Sequence, residues 1–272
     1  MPPPTYNWKR FWCPRAGTFL LDAEGYLFDP DSGWGRAYNP DVVAFEAVAS
    51  YPCLVLLGEP GIGKSFAMQQ EQSAVERQVK ERGGRLIWLD LRSYSSEDRL
   101  VSAVFGSPVF AEWVGGAHEL HLFLDSLDEC LLRVDNVAAL LADELKKCPT
   151  DRLYLRVACR TADWPHSFER DLLGLWGQER VGVYELAPLR LADVVEAAKA
   201  NGLDANVFTR QIATIGVVPL AIKPVTLSLL INTFRQTGQF PRTQTELYQQ
   251  GCRLLCEEPN DRRRDAGLTG EL

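Results

Sequence analysis

One segment limits the folds open to this chain more than any other: Gly58-Glu59-Pro60-Gly61-Ile62-Gly63-Lys64-Ser65. It follows an apolar run, Cys53-Leu54-Val55-Leu56-Leu57, and precedes a polar, helix-favouring stretch over residues 66–82 that opens at Phe66 and is closed by Gly83-Gly84. Glycines at the first and sixth positions, followed by lysine and serine, have the spacing of a phosphate loop. The residue types follow from the chemistry. Glycine lets consecutive backbone N–H groups turn towards one anion. The helix starting at the loop adds the positive end of its dipole. Lys64 supplies a mobile charge for the terminal phosphates, and the Ser65 hydroxyl can ligate magnesium. A strand, a loop and a helix must therefore meet here, which predicts an α/β fold.

The rest of the chain extends that pattern. Apolar strands are predicted over residues 53–57, 85–91, 120–124, 153–158 and 180–186, separated by helical segments that include 42–50 and 134–147. Strands alternating with helices give a mostly parallel sheet of five strands with helices on both faces, a three-layer sandwich. After Pro188 only helices are predicted, over 191–200, 204–215, 223–236 and 243–257. The first 40 residues hold Trp8, Trp12, Trp34 and a turn-rich run at Asp29-Pro30-Asp31-Ser32-Gly33, with two short strands expected over 18–21 and 25–28. The predicted organisation is an N-terminal aromatic and proline-rich arm (1–40), a nucleotide-binding core (41–187) and a helical subdomain (188–272).

A second constellation is Leu122-Phe123-Leu124-Asp125-Ser126-Leu127-Asp128-Glu129. An apolar strand ending in aspartate is the usual partner of a phosphate loop, and Asp125 is expected to hold the magnesium shell directly or through water. Glu129 is the first candidate for the base that orients the attacking water and Asp128 the second; the alternative for both is a solvated turn or a helix cap. A third element, Cys159-Arg160-Thr161, lies just past the fourth predicted strand. Where an extra strand separates the phosphate-loop strand from the acidic strand, this position faces the γ-phosphate, and Arg160 can sense it. The alternative is a local pair with an acid such as Asp163.

Charge and cysteine usage narrow the partners. A net charge of −7 argues against a broad nucleic-acid surface. Seven cysteines, odd in number and without a C-x-x-C pair, read as reduced thiols in a cytoplasmic protein. No basic segment leads into an apolar stretch at the N-terminus, and the apolar run over 217–231 is broken by Lys223 and Pro224, so no membrane partner is expected.

The three constellations together resemble the NACHT group of STAND nucleotide switches, relatives of the AAA+ ATPases. Asp125-Ser126-Leu127-Asp128-Glu129 matches that group's order of aspartate, small residue, apolar residue, aspartate and glutamate. Most AAA+ enzymes instead place an acid directly after the magnesium aspartate, where this chain has Ser126. Pro219-Leu220 and Leu247-Tyr248 resemble the helical segment behind the group's nucleotide core, where a proline lies against the base; the alternative for Pro219 is an ordinary helix start. The resemblance covers roughly residues 45–258. It implies binding of ATP (or GTP) with Mg2+, slow hydrolysis and a signalling switch, with roles that include antiphage defence in bacterial members. Self-oligomerisation or a separate sensor or effector protein is implied as well. Members usually continue into a winged helix and sensor repeats, so a fragment or a truncated frame is expected. The competing readings are a working ATPase of the AAA+ type, for which Arg152, Arg170 or Arg180 would have to reach a neighbour's site, and a small-molecule kinase.

Overall fold

The computed structural model describes residues 6, 8–241, 243 and 245–249. The expected helix over 243–257 therefore lies largely outside the described residues, as do Cys252 and Cys256. In chain order the elements begin with strand β1 (Phe11–Pro14), helix α1 (Gly33–Tyr38), β2 (Val43–Ala44), α2 (Phe45–Val48), β3 (Cys53–Leu57) and α3 (Lys64–Glu81). Next come β4 (Arg85–Asp90), α4 (Glu97–Val104), α5 (Pro108–Gly115), β5 (Leu120–Asp125), α6 (Val134–Leu145), β6 (Leu153–Cys159), α7 (His166–Trp176) and β7 (Val181–Leu186). Four helices complete the order: α8 (Leu191–Ala200), α9 (Ala205–Ile215), α10 (Val218–Ala221) and α11 (Pro224–Thr237).

The chain forms two compact units, one of residues 10–19 and 39–187, the other of 1–9, 20–38 and 188–272. Each stretch before Asn39 belongs to one unit or the other, so the N-terminal residues are shared between them.

The first unit is built on one sheet in the order β2-β1-β7-β3-β6-β5-β4. It has seven strands, not five. The five predicted strands pair in parallel. The two additions, β1 and β2, pair antiparallel at one edge, with Trp12 opposite Leu186 and Phe11 opposite Ala44. The 42–50 segment, expected to be one helix, is the two-residue strand β2 followed by the single turn α2. All five residues of β3 are buried, because both faces of the sheet are covered. Val55 and Leu57 pack on one face with Trp113, Leu122 and Phe168. Leu54 and Leu56 pack on the other with Trp12, Met68 and Phe123. Strand β6 lies between β3 and β5. The phosphate-loop strand and the acidic strand are thus separated by one strand, the arrangement that brings the end of β6 to the same site. This is an α/β P-loop NTPase fold.

The helical unit has its own core of Phe208, Ile212, Leu230 and Phe234, joined by Trp8 and Tyr26 from the N-terminal stretches. Its helix ends carry standard local signals. The Asp204 carboxylate accepts from the Asn206 and Val207 amides at the start of α9, and Gly216 ends that helix at φ 75°. Pro224 starts α11, and Gly238 closes it at φ 71°. Of the two short strands expected near residue 20, the structure has a single antiparallel bridge, Leu21 to Leu27.

Candidate functional site

The phosphate loop leaves the buried end of β3 and enters α3. Its turn is closed by the Ile62 amide, which donates to the Glu59 carbonyl at 3.3 Å, and the helix begins with the Ala67 amide on the Gly63 carbonyl at 3.0 Å. Gly61 and Gly63 take φ 74° and 98°, conformations that side-chain-bearing residues avoid, and this is why the loop needs glycine at those places. Glu59 and Pro60 are exposed, Phe66 is exposed on the first turn of α3, and Ile62 points inward as part of the core. The Lys64 ammonium donates to the Gly58 carbonyl at 2.7 Å and to that of Glu59 at 3.3 Å. Burial lowers its pKa, while Asp128 pulls in the other direction. Burial of the ammonium is a cost that an anion seated in the loop would offset.

Ser65 and Asp125, 60 residues apart in sequence, meet there. The Ser65 hydroxyl donates to Asp125 Oδ1 at 3.1 Å. Asp125 is almost fully buried at the end of β5, and burial raises its pKa, partly offset by the Ser65 hydrogen bond. A hydroxyl beside a carboxylate is a hard oxygen donor set of the kind Mg2+ takes, along with water and phosphate oxygens. A divalent cation would also remove the cost of a buried carboxylate charge. Ser65 and Asp125 therefore fit magnesium.

The chain then turns sharply. Ser126 has φ 60° and ψ 48°, the only positive φ at a non-glycine residue among those described. This left-handed step folds residues 127–129 into a short 3-10 turn and sends Asp128 and Glu129 towards the end of β6. Their environments differ. The Asp128 side chain is 2% exposed, accepts from the Arg160 amide at 2.8 Å and pairs with Arg160 Nε at 2.9 Å. The Glu129 side chain is 40% exposed, accepts from Arg160 Nη2 at 3.0 Å and lies 4.0 Å from the Arg92 guanidinium. Asp128 is thus locked in place, and Glu129 is the carboxylate with access to solvent. Arg160 pairs with these two acids across the strand ends, and its pKa is raised chiefly by the Glu129 hydrogen bond.

Two further arginines lie at the candidate site. Arg92, just past β4, forks onto Asp90 at 2.9 and 2.6 Å and extends the ring of charge to Glu129. Arg10, just before β1, reaches the loop itself. The signal for Arg92 was its place after the strand-ending Asp90-Leu91; nothing local marked Arg10. Pro219 lies in the other unit, exposed in the first turn of α10. Of the arginines considered for a neighbour's site, Arg152 is taken up by the carbonyls of Trp113, Val114 and His118.

No protein-family model matches the chain, and no curated protein matches it. Solved structures with a similar fold include the Holliday junction branch migration motor RuvB of Thermotoga maritima, at 13% identity and a TM-score of 0.42 over 76% of this chain. The Walker-type ATPase of Pyrococcus abyssi is similar over 89% of the chain and 77% of its own, at 17% identity and a TM-score of 0.44. The replication initiator DnaA, solved bound to AMPPCP and single-stranded DNA, is similar over 71% of the chain, at 13% identity and a TM-score of 0.45. The chain spans 62% of the RuvB chain and 59% of the DnaA chain. Among the described residues no helix is long and apolar enough to cross a membrane.

Proposed function

We propose that this chain binds ATP (or GTP) with Mg2+ in the loop Gly58–Ser65 and hydrolyses it slowly, as the nucleotide seat of a NACHT-type signalling switch in the cytoplasm. The observation that carries the reading is the Ser65–Asp125 hydrogen bond of 3.1 Å at the junction of loop, helix and acidic strand. Lys64 would bind the β and γ phosphates, Ser65 and Asp125 would hold the metal, and Glu129 would orient the attacking water with Asp128 fixing its turn. Magnesium supplies charge neutralisation at the phosphates. The ion pairs support slow turnover. Glu129 is held by Arg160, so the base and the sensor of the terminal phosphate neutralise one another until that phosphate draws Arg160 away. A role in antiphage defence, self-assembly, and a separate sensor or effector protein rest on the motif resemblance alone.

The test is to identify co-purifying nucleotide by mass spectrometry and to measure Mg2+-dependent hydrolysis. Retained diphosphate and turnover below ~1 s⁻¹, the low end of ordinary enzymes, are expected. Lys64→Ala is expected to lose nucleotide, and Asp125→Asn to lose the magnesium dependence of binding. A Lys64→Ala protein with unchanged nucleotide affinity would refute the site. Fast, cooperative hydrolysis in a stable ring would instead favour a working AAA+ ATPase.

A further inference from the structure

Two arginines are buried among the described residues. Arg156 has a carboxylate partner, with its Nε 2.8 Å from Glu71 Oε1. Arg10 reaches two backbone carbonyls. Its Nη1 donates to the Ile62 carbonyl at 2.9 Å, and its Nη2 to the Ala187 carbonyl at 2.8 Å. The first of these oxygens belongs to the phosphate loop.

The Ile62 carbonyl and the Gly63 amide share one planar trans peptide, so they point to opposite sides. A carbonyl held against Arg10 therefore turns the Gly63 N–H away from Arg10, at the N-terminal end of α3. Without such a hold this peptide is easy to rotate, because Gly63 has no side chain to resist a change in its backbone angles. The Ile62 amide donates to Glu59, its side chain is packed in the core, and the Ala67 amide holds the Gly63 carbonyl, but none of these reaches the Ile62 carbonyl itself. The carbonyl is the free end, and Arg10 closes it. A guanidinium suits this position because two of its donors lie in a rigid fork that spans two carbonyls at once.

We propose that Arg10 is a positioning residue for the bound nucleotide: it locks the Ile62–Gly63 peptide so that the Gly63 N–H faces the phosphates. The proposal rests on the reading of this loop as a nucleotide seat. It assigns to a residue outside the P-loop motif, and before the first strand, a part in phosphate binding.

The experiment uses the full chain labelled with 15N-glycine and titrated with Mg-ADP. Affinity and the movement of the Gly63 amide resonance are read together. In the wild type, the Gly63 resonance is expected to move on binding. In Arg10→Ala, affinity is expected to fall at least tenfold with most of that movement lost. Millimolar ethylguanidinium, but not ethylammonium, is expected to restore both in part, a rescue that a general loss of packing would not give. If folded Arg10→Ala binds as tightly as wild type with the same Gly63 movement, the proposal is overturned. Should Arg10→Ala not fold, Arg10→Lys is judged by the same two readouts: wild-type values overturn the proposal, and a tenfold loss with diminished movement supports it. Absence of binding by the wild type refutes the nucleotide seat and this proposal with it, whereas tight binding indifferent to Arg10 refutes this proposal alone.

Discussion

Ser126 shows how one residue shapes the candidate site. A left-handed backbone costs a residue with a side chain about 1–2 kcal/mol, and here it falls between the metal-binding candidate Asp125 and the turn that carries Asp128 and Glu129. The requirement for a small residue at this place has a physical cause: the chain must reverse at once after the strand. Ser126→Gly is expected to raise stability by about 0.5–1 kcal/mol by relieving the strain. Ser126→Val, β-branched and ill-suited to positive φ, is expected to lower it by about 1–2 kcal/mol. Urea denaturation of both variants checks the pair. The residues of the two contiguous motifs, Gly58 to Ser65 and Asp125 to Glu129, were legible because each motif maps onto one strand end. The division of labour between Asp128 and Glu129 was not. It depends on burial and on Arg160, 31 and 32 residues away in sequence.

At the scale of elements, the five parallel strands were legible because each is a short apolar run between helices, buried on both faces. Strands β1 and β2 were not. Phe11-Trp12-Cys13-Pro14 is only four residues long, ends in proline and exists as a strand because β7 offers an antiparallel edge. Such a tertiary decision leaves no periodicity to read. The same sheet holds a pH-sensitive pair. His121 on β5 lies in register with Tyr154 on β6, their rings stacked with centroids 4.6 Å apart. Burial, aided by the charges of Arg156 and Arg82, pushes His121 down to about 4 from its ordinary 6.5, and Glu119 lies 3.8 Å away. The folded chain therefore keeps this imidazole neutral where the unfolded chain protonates it. Its contribution is complete above pH 6.5 and is lost as pH falls from there towards 4, by up to about 3 kcal/mol. Chemical denaturation across that range should show a shallower acid loss in His121→Gln than in the wild type.

Across the whole molecule, the path of the chain matters more than any single contact. It passes between the two compact units at residues 9–10, 19–20, 38–39 and 187–188. Reading the first 40 residues as an arm placed them outside the nucleotide-binding core, because their aromatic and turn-rich composition differs from that of residues 41–187. Composition shows a change of texture but not where each piece packs. Trp12 is fully buried in the sheet unit, while Trp8 belongs to the helical core. A chain starting at Asn39 is therefore expected to lose both β1 and part of the helical core. The loss of Trp12 alone is worth about 3–5 kcal/mol, a large part of a typical domain's stability. Calorimetry should find no cooperative transition at the wild-type temperature for that truncation. The interleaving also bears on inheritance. A recombination event that carries off residues 39–187 transfers every phosphate-loop and acidic-motif residue of the candidate site but leaves behind Arg10 and β1. The candidate site is not a portable cassette; descent has to pass it on together with its flanking sequence.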